Sequence, residues 1–262
     1  MSQVFIVGGL DVAELVFYAF FLFFLGLVIY LRREDRREGY PLEEEATGAI
    51  IPNEGFLQKA RPKTFFLPHG KGAISPDAAP AREPVEIPGT VRAHWGGSPL
   101  DPTGNPLTAG VGAGAFQSAR AHEPELDMHG KPKIVPIGLA EGFRVSEGEP
   151  DVIGWPVIAA DGKVAGHVAD IWVDTTDHLV RYLAVAVPGE TGTNPALLPI
   201  TMALVRRSKG VVEMEAVTAA QFAGVPRPAS PVQVTRNEED RITAYLGAGY
   251  LYALPERVEP WL

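Results

Sequence analysis

Two groups of titratable residues are the parts of this sequence that could do chemistry. The first group runs from Glu125 to Lys133 and includes Asp127 and His129. A carboxylate and an imidazole two residues apart can exchange a proton or share a divalent ion on one face of an extended chain. Charge runs of this kind usually face water, so these residues taken alone favour a solvated loop.

The second group contains Asp174, Asp177, His178 and Arg181, and it follows the apolar stretch Ile171-Trp172-Val173. A turn stabilised by ion pairs is the simpler interpretation of this pattern. Neighbouring carboxylates can also relay protons, because a like charge raises the pKa of one of them. Both interpretations stay open on these residues alone.

Motifs of known enzymes are missing from the sequence. It contains no P-loop, no H-E-x-x-H and no G-x-S-x-G pattern. It has no cysteine, which excludes disulfides, thiol catalysis and Cys-ligated metal centres. The stretch Gly110-Val111-Gly112-Ala113-Gly114-Ala115 can be forced onto the dinucleotide fingerprint, but turn residues precede it instead of a strand. We therefore expect a flexible surface loop there.

An apolar segment near the N-terminus predicts a membrane anchor. Residues 15–31 carry no charge and include five phenylalanines that surround a helix on every face. A helix of about 20 residues spans the hydrocarbon core of a bilayer. Lys and Arg are absent before the segment, although a signal peptide needs a basic start. We predict a retained transmembrane helix over residues 12–31.

The arginines that follow this segment predict its orientation. Arg32, Arg33, Arg36 and Arg37 lie on its C-terminal side. Lys and Arg accumulate on the cytoplasmic side of membrane proteins. We therefore predict a periplasmic N-terminus over residues 1–11 and a cytoplasmic location for residues 32–262.

The remaining chain divides by composition. Residues 32–110 form a membrane-exit and Pro-rich segment, with eleven of the 24 prolines between 41 and 106. Proline discourages both helix and central strand. The segment is nevertheless rich in apolar residues, so we expect it to lie on another surface, with a short strand at 64–67.

Residues 111–262 predict a mainly β cytoplasmic domain. Short apolar runs separated by Gly, Asp and Pro fill residues 134–220, which favours a small antiparallel barrel. A capping-box pattern from Thr235 to Glu238 predicts one C-terminal helix over 235–247, ended by Gly247 or Gly249.

Several stretches resemble, in the same order, the H subunit of purple-bacterial photosynthetic reaction centres. Because the order agrees from end to end, the resemblance covers essentially the whole chain. The matching stretches are Tyr30-Leu31-Arg32-Arg33-Glu34-Asp35-Arg36-Arg37-Glu38-Gly39-Tyr40-Pro41-Leu42, Arg61-Pro62-Lys63-Thr64-Phe65, Leu67-Pro68-His69-Gly70, Pro102-Thr103-Gly104-Asn105-Pro106-Leu107, Asp170-Ile171-Trp172-Val173-Asp174 and Glu238-Glu239-Asp240-Arg241.

This resemblance implies a PRC-type barrel on a single anchor in the bacterial inner, intracytoplasmic membrane. It implies a non-enzymatic subunit that caps the L and M subunits on the cytoplasmic side, shields the secondary quinone and helps to conduct protons to it. The bacteriochlorophyll, bacteriopheophytin, quinones, non-haem iron and carotenoid would be bound by partner subunits, and none by this chain. Light-harvesting antenna, a cytochrome subunit and membrane lipids are further implied partners; nucleic acid is not.

The resemblance also assigns proton-transfer roles. Asp127 and His129 match the Asp and first His of the family's surface site for proton uptake, and Lys131 stands where some members have a second His. No native metal site is implied, although Asp127 and His129 could bind adventitious zinc.

Further inside, Asp174 matches a relay Asp of the family, and Asp177 stands where members commonly have Glu. Arg181 matches an Arg near that carboxylate.

Two alternatives remain beside this family. One is a membrane-anchored PRC-barrel protein in RNA processing, which the net charge of -9 disfavours because phosphates need a basic partner. The other is an uncharacterised single-pass membrane protein or enzyme, for which the sequence contains no supporting motif.

Overall fold

The computed structural model describes most of the chain in two compact units. Residues 1–84 with 94–98 form the smaller unit, and residues 85–93 with 99–262 form the larger one. The described residues are 5–7, 10–37, 40, 42–44, 46–51, 60, 62–75, 87–94, 97–117, 122–189 and 194–258. Glu38, Gly39, Pro41 and Arg61 of the family-like stretches, and residues 52–59 and 76–86 of the Pro-rich segment, lie outside them.

A single long helix dominates the smaller unit. Helix α1 spans Val12–Glu34 and is long and apolar enough to cross a membrane, which confirms the predicted candidate span. Asp11 caps its first turn and forms a capping box with Glu14. The helix continues beyond the predicted end at residue 31 because its last turn carries arginines, whose charge suits the negative end of the helix dipole.

Three short strand pairs complete the described part of the smaller unit. The pair that contains Phe65 confirms the strand predicted at 64–67, and the Phe66 side chain is 87% exposed. The pairs are β1 (Phe5–Val7) with β2 (Leu10–Asp11), β3 (Leu42–Glu43) with β4 (Ile50–Ile51), and β5 (Phe65–Phe66) with β6 (Ala73–Ile74).

A seven-stranded sheet forms the core of the larger unit. The strands are β9 (Ile134–Pro136), β10 (Pro156–Ile158), β11 (Val164–Asp174), β12 (Leu179–Ala186), β13 (Ala196–Pro199), β14 (Leu204–Arg206) and β15 (Val211–Glu213). Their order in the sheet is β13-β12-β11-β10-β15-β14, and β9 also pairs with β11. The unit also contains a separate hairpin of β7 (Gly89–Val91) and β8 (Leu100–Pro102). The prediction of a mainly β domain is therefore confirmed.

The pairing differs from a purely antiparallel barrel at one place. Strands β10 and β15 are parallel, because the long connection between them, which contains four other strands, brings β15 back in the same direction. Every other pairing in this sheet is antiparallel. Among the described strands, no pairing closes the sheet into a ring.

The C-terminal helix packs on this sheet and is longer than predicted. A short helix α2 (Ala219–Phe222) precedes helix α3, which spans Arg236–Tyr252 and begins with the predicted capping box at Thr235. The prediction that Gly247 or Gly249 ends α3 is wrong, since both lie inside it. A Cβ atom at Gly249 would overlap the Ala216 carbonyl and the Val217 side chain, so this glycine permits close packing.

The glycine-rich stretch also serves packing. Residues Gly112–Gly114 form a 3-10 turn, and Gly114 is buried. A Cβ atom there would lie 3.0 Å from the Pro106 carbonyl oxygen and 3.2 Å from the Ala248 Cβ. The prediction of a flexible surface loop is therefore wrong at this turn, because only a residue without a side chain allows this close contact with α3.

Candidate functional site

The first predicted group of titratable residues forms a hairpin. The Lys133 amide donates to the Glu125 carbonyl at 2.7 Å, and the Asp127 amide donates to the Lys131 carbonyl at 2.8 Å. At the tip, Asp127 Oδ1 accepts backbone hydrogen bonds from Lys131 and His129, both at 2.8 Å. These bonds, led by that from Lys131, hold the pKa of Asp127 below its usual value. Asp127 and the exposed His129 thus lie together in one turn.

Strand pairing brings this hairpin to the second group. Lys133 directly precedes β9, and Ile134 pairs with Asp174 at the end of β11. The Lys133 ammonium nitrogen therefore lies 2.9 Å from Asp177 Oδ2, 3.4 Å from Asp174 Oδ2 and 4.0 Å from Glu125 Oε2. One cation joins three carboxylates from the two predicted groups.

Asp174 is the innermost member of this cluster. The residue is 0% exposed, and its Oδ1 accepts backbone hydrogen bonds from Thr176 and Asp177, both at 2.9 Å. Its Oδ2 has no hydrogen-bond partner among the described residues and faces the Lys133 ammonium. The turn between β11 and β12 thus orients a buried carboxylate toward a single cation.

Charges within the cluster stabilise each other. The hydrogen bond from Lys133 lowers the pKa of Asp177, and the same bond raises the pKa of Lys133 against the opposing effect of burial. Lys133 and Asp177 therefore both stay ionised near neutral pH. The turn that carries Asp174 and Asp177 is ion-paired, but its cation is Lys133 from the first predicted group.

Arg181 pairs with a residue outside the predicted groups. Its Nη2 atom lies 3.4 Å from Glu239 Oε2, which also accepts a 2.8 Å hydrogen bond from the Tyr182 hydroxyl. Burial raises the pKa of Glu239, although Tyr182 and Arg181 both favour its ionised form. Burial likewise raises the pKa of Tyr182, so its hydroxyl remains a donor. Arg181 also acts on Asp177, whose pKa its charge helps to lower.

Glu239 and Lys133 are functional candidates that sequence reasoning missed. In the sequence, Glu239 stands out only as part of a family-like stretch, and Lys133 only as the end of a charge run. A signal for Glu239 existed in the capping box, because Glu238 already fills the capping role by accepting from the Thr235 amide at 2.8 Å. A second glutamate at the next position needs another explanation.

His178 lies apart from the other titratable side chains. Its ring stacks on Phe143 with centroids 5.0 Å apart. Both rings line a cavity of about 360 Å³ whose other walls are mainly aliphatic, including Ile171 and Val173. Within the part of the chain that the structure describes, no group of three His, Asp or Glu side chains could hold a metal ion.

Two family models match the chain. The model for the photosynthetic reaction centre H-chain N-terminal region matches residues 4–139, which is just over half of the chain. The model for the PRC-barrel domain matches residues 147–221. The hairpin with Asp127 and His129 lies in the first match, and the turn with Asp174 and Asp177 lies in the second.

Proposed function

The chain belongs to the photosynthetic reaction-centre H-chain family, and from that premise we propose that it shields the secondary quinone and conducts protons to it from the cytoplasm. Members of this family are membrane-located structural subunits of a photochemical complex and associate with the L and M subunits. We propose that the larger unit caps those subunits on the cytoplasmic side. Antenna and cytochrome subunits would be further neighbours.

The observation that carries the proposal is that one hairpin connects ionisable groups at the surface to a cluster around a buried carboxyl group. Asp127 and His129 lie at an accessible hairpin tip, and the base of the same hairpin carries Lys133 to within 3.4 Å of Asp174. Proton relay requires groups within hydrogen-bond reach of each other or of a bridging water. In this route Lys133 retains its own protons and orders the carboxylates around it.

Charge and exposed apolar surface support the remaining parts of the proposal. A net charge of -9 raises the local proton concentration at the surface through its negative potential. In the smaller unit, Phe65, Phe66 and Ile74 are all exposed on one short strand pair. Contiguous apolar side chains of this kind suit contact with a partner subunit or lipid. The arginines after α1 support a periplasmic N-terminus.

Replacing Asp174 and Asp177 together by Asn tests the proposal in the intact reaction-centre complex. We expect slower proton-coupled second electron transfer to the secondary quinone and a smaller effect on the first transfer. Small membrane-permeant acids should partly restore the rate, because they carry protons past a broken relay.

A matched control replaces Glu141 and Glu147 by Gln, since both are exposed and the change in charge is the same. This control should transfer the second electron at the wild-type rate. If the Asn variant does so as well between about pH 6 and pH 9, these carboxylates are not part of the route.

A further inference from the structure

Glu239 is a largely buried carboxyl group that is not needed to cap the helix. It lies in the first turn of α3, where Glu238 already completes the capping box, and its side chain is only 15% exposed. Its Oε2 accepts from the Tyr182 hydroxyl at 2.8 Å and lies 3.4 Å from Arg181 Nη2. A buried polar network of this kind contributes little net stability relative to well-packed apolar residues, so a functional reason for it should be sought.

The charged groups around Glu239 come from three elements. Strand β12 supplies Arg181 and Tyr182, and the hairpin supplies Glu125, whose charge opposes ionisation of Glu239. On α3 itself, Arg236 is directed to Glu125 at 3.8 Å and not to Glu239. The carboxyl group is therefore balanced between its two donors on one side and burial with a like charge on the other.

This balance separates Glu239 from the other acids. Among the described Asp and Glu residues whose pKa is shifted, Glu239 has a raised pKa and the others have a lowered pKa. Those with a lowered pKa are Glu34, Asp127, Asp161, Asp177 and Glu213. A group that binds and releases a proton near neutral pH needs a pKa closer to that range than an ion-paired Asp has.

On the basis of the proposed proton conduction, we propose that Glu239 is the carboxyl group that takes up and releases the transferred proton within this domain, with Tyr182 and Arg181 as its positioning residues. A hydronium ion protonates the Glu239 carboxylate and leaves water. The carboxyl group then passes the same proton to a base or water on the quinone side and returns to the carboxylate. Tyr182 keeps its own proton throughout, and Lys133 supplies a fixed positive charge.

The test uses Glu239→Gln in the intact complex. Glutamine keeps the side-chain size and an oxygen that accepts from Tyr182, but it cannot carry the proton. Second electron transfer should slow on the order of tenfold or more. The infrared band of a carboxyl group protonated after quinone reduction should also disappear. Glu215→Gln is the control, because Glu215 is exposed on the same unit and should leave both measurements unchanged.

Tyr182→Phe gives a readout that a structural role would not produce. It removes one hydrogen bond to the ionised form of Glu239, so the pH at which the rate falls should move upward by about one unit. The proposal is overturned if the profile does not move. If Glu239→Gln does not assemble into the complex, the pH profile of Tyr182→Phe still tests the proposal.

Failure of this inference and failure of the proposed function are distinguishable. If Glu239→Gln keeps the wild-type rate and the carboxyl band while the double Asn variant at Asp174 and Asp177 is slow, the route avoids Glu239 and the proposed function stands. If all of these variants behave as wild type, both proposals fall.

Discussion

Replacing Lys133 by Met would leave the buried Asp174 carboxylate without its cation. Met retains most of the aliphatic volume of Lys and removes only the ammonium group. Asp174 is 0% exposed, and its Oδ2 faces Lys133 Nζ at 3.4 Å without a hydrogen bond from the described residues. The substitution therefore removes the ammonium group 3.4 Å from this buried carboxyl group and, among the described cations, leaves only the electrostatic interaction with Arg181.

Removing one partner of a buried ion pair typically costs about 3–5 kcal/mol of unfolding free energy. Two features of the site reduce that cost. Backbone amides of Thr176 and Asp177 still donate to Asp174 Oδ1, and the Lys133 side chain is 15% exposed, so water can approach the vacated place. We therefore expect a loss of about 3 kcal/mol at pH 7, at the lower end of that range.

The loss should depend on pH in a defined direction. The raised pKa of Lys133 stabilises the wild-type fold below the unfolded lysine value of about 10.4, and this stabilisation is lost as pH rises through the folded value. The lowered pKa of Asp177 stabilises the fold above about 3.9, and this stabilisation is lost as pH falls. The deficit of the variant should be largest between these limits and shrink in acid, where protonation removes the carboxylate charges.

Denaturant unfolding of the full chain in detergent, followed by tryptophan fluorescence, measures this loss. Lys131→Met is the matched control, because Lys131 is exposed on the same hairpin, and it should stay within about 0.5 kcal/mol of wild type. Adding Asp174→Asn to Lys133→Met should recover part of the loss, since Asn still accepts the two backbone bonds and carries no charge. The reasoning is refuted if Lys133→Met costs no more than the control at pH 7, or equally much at about pH 2 and at pH 7.

Three further predictions concern packing, topology and assembly. Gly249→Ala should lose about 1–3 kcal/mol in thermal unfolding because its Cβ overlaps Ala216 and Val217 in the connection before α2. Gly247→Ala, whose nearest neighbouring atom is 3.4 Å away, should be neutral or stabilising, and equal effects would contradict the packing argument. Protease added to inside-out vesicles should digest residues 32–262 and leave a small fragment, whereas protection would reverse the orientation. Amide exchange in the isolated chain should be faster over 41–106 than over 134–220, and equal protection would count against ordering by partners.

Features that depend on local sequence could be predicted. The run of apolar residues defined α1, and the capping box at Thr235 defined the start of α3. Asp161 and Gly162 mark the turn between β10 and β11, where the Gly162 amide donates to the Ala159 carbonyl at 2.9 Å. In each case the signal lies within a few residues of the feature.

Features that depend on tertiary contact could not be predicted. The end of α3 was predicted too early because Gly249 resembles a helix terminator, while its role is to permit the close approach of Ala216 and Val217 in the connection before α2. The candidate site shows the same limit. Nothing in the separate charge runs indicates that β9 would bring Lys133 beside Asp174, or that α3 would bring Glu239 to Arg181.

Flash-induced electron transfer in complexes with and without this chain tests proton delivery most directly. The chain is removed from the purified reaction-centre complex, the two electron transfers to the secondary quinone are timed together with proton uptake, and the chain is then added back. Our account predicts that removal of the chain slows the second electron transfer and its proton uptake and affects the first transfer much less. Adding back the wild-type chain should restore the second transfer, whereas the double Asn variant at Asp174 and Asp177 should not. Equal second-transfer rates with and without the chain would contradict the account.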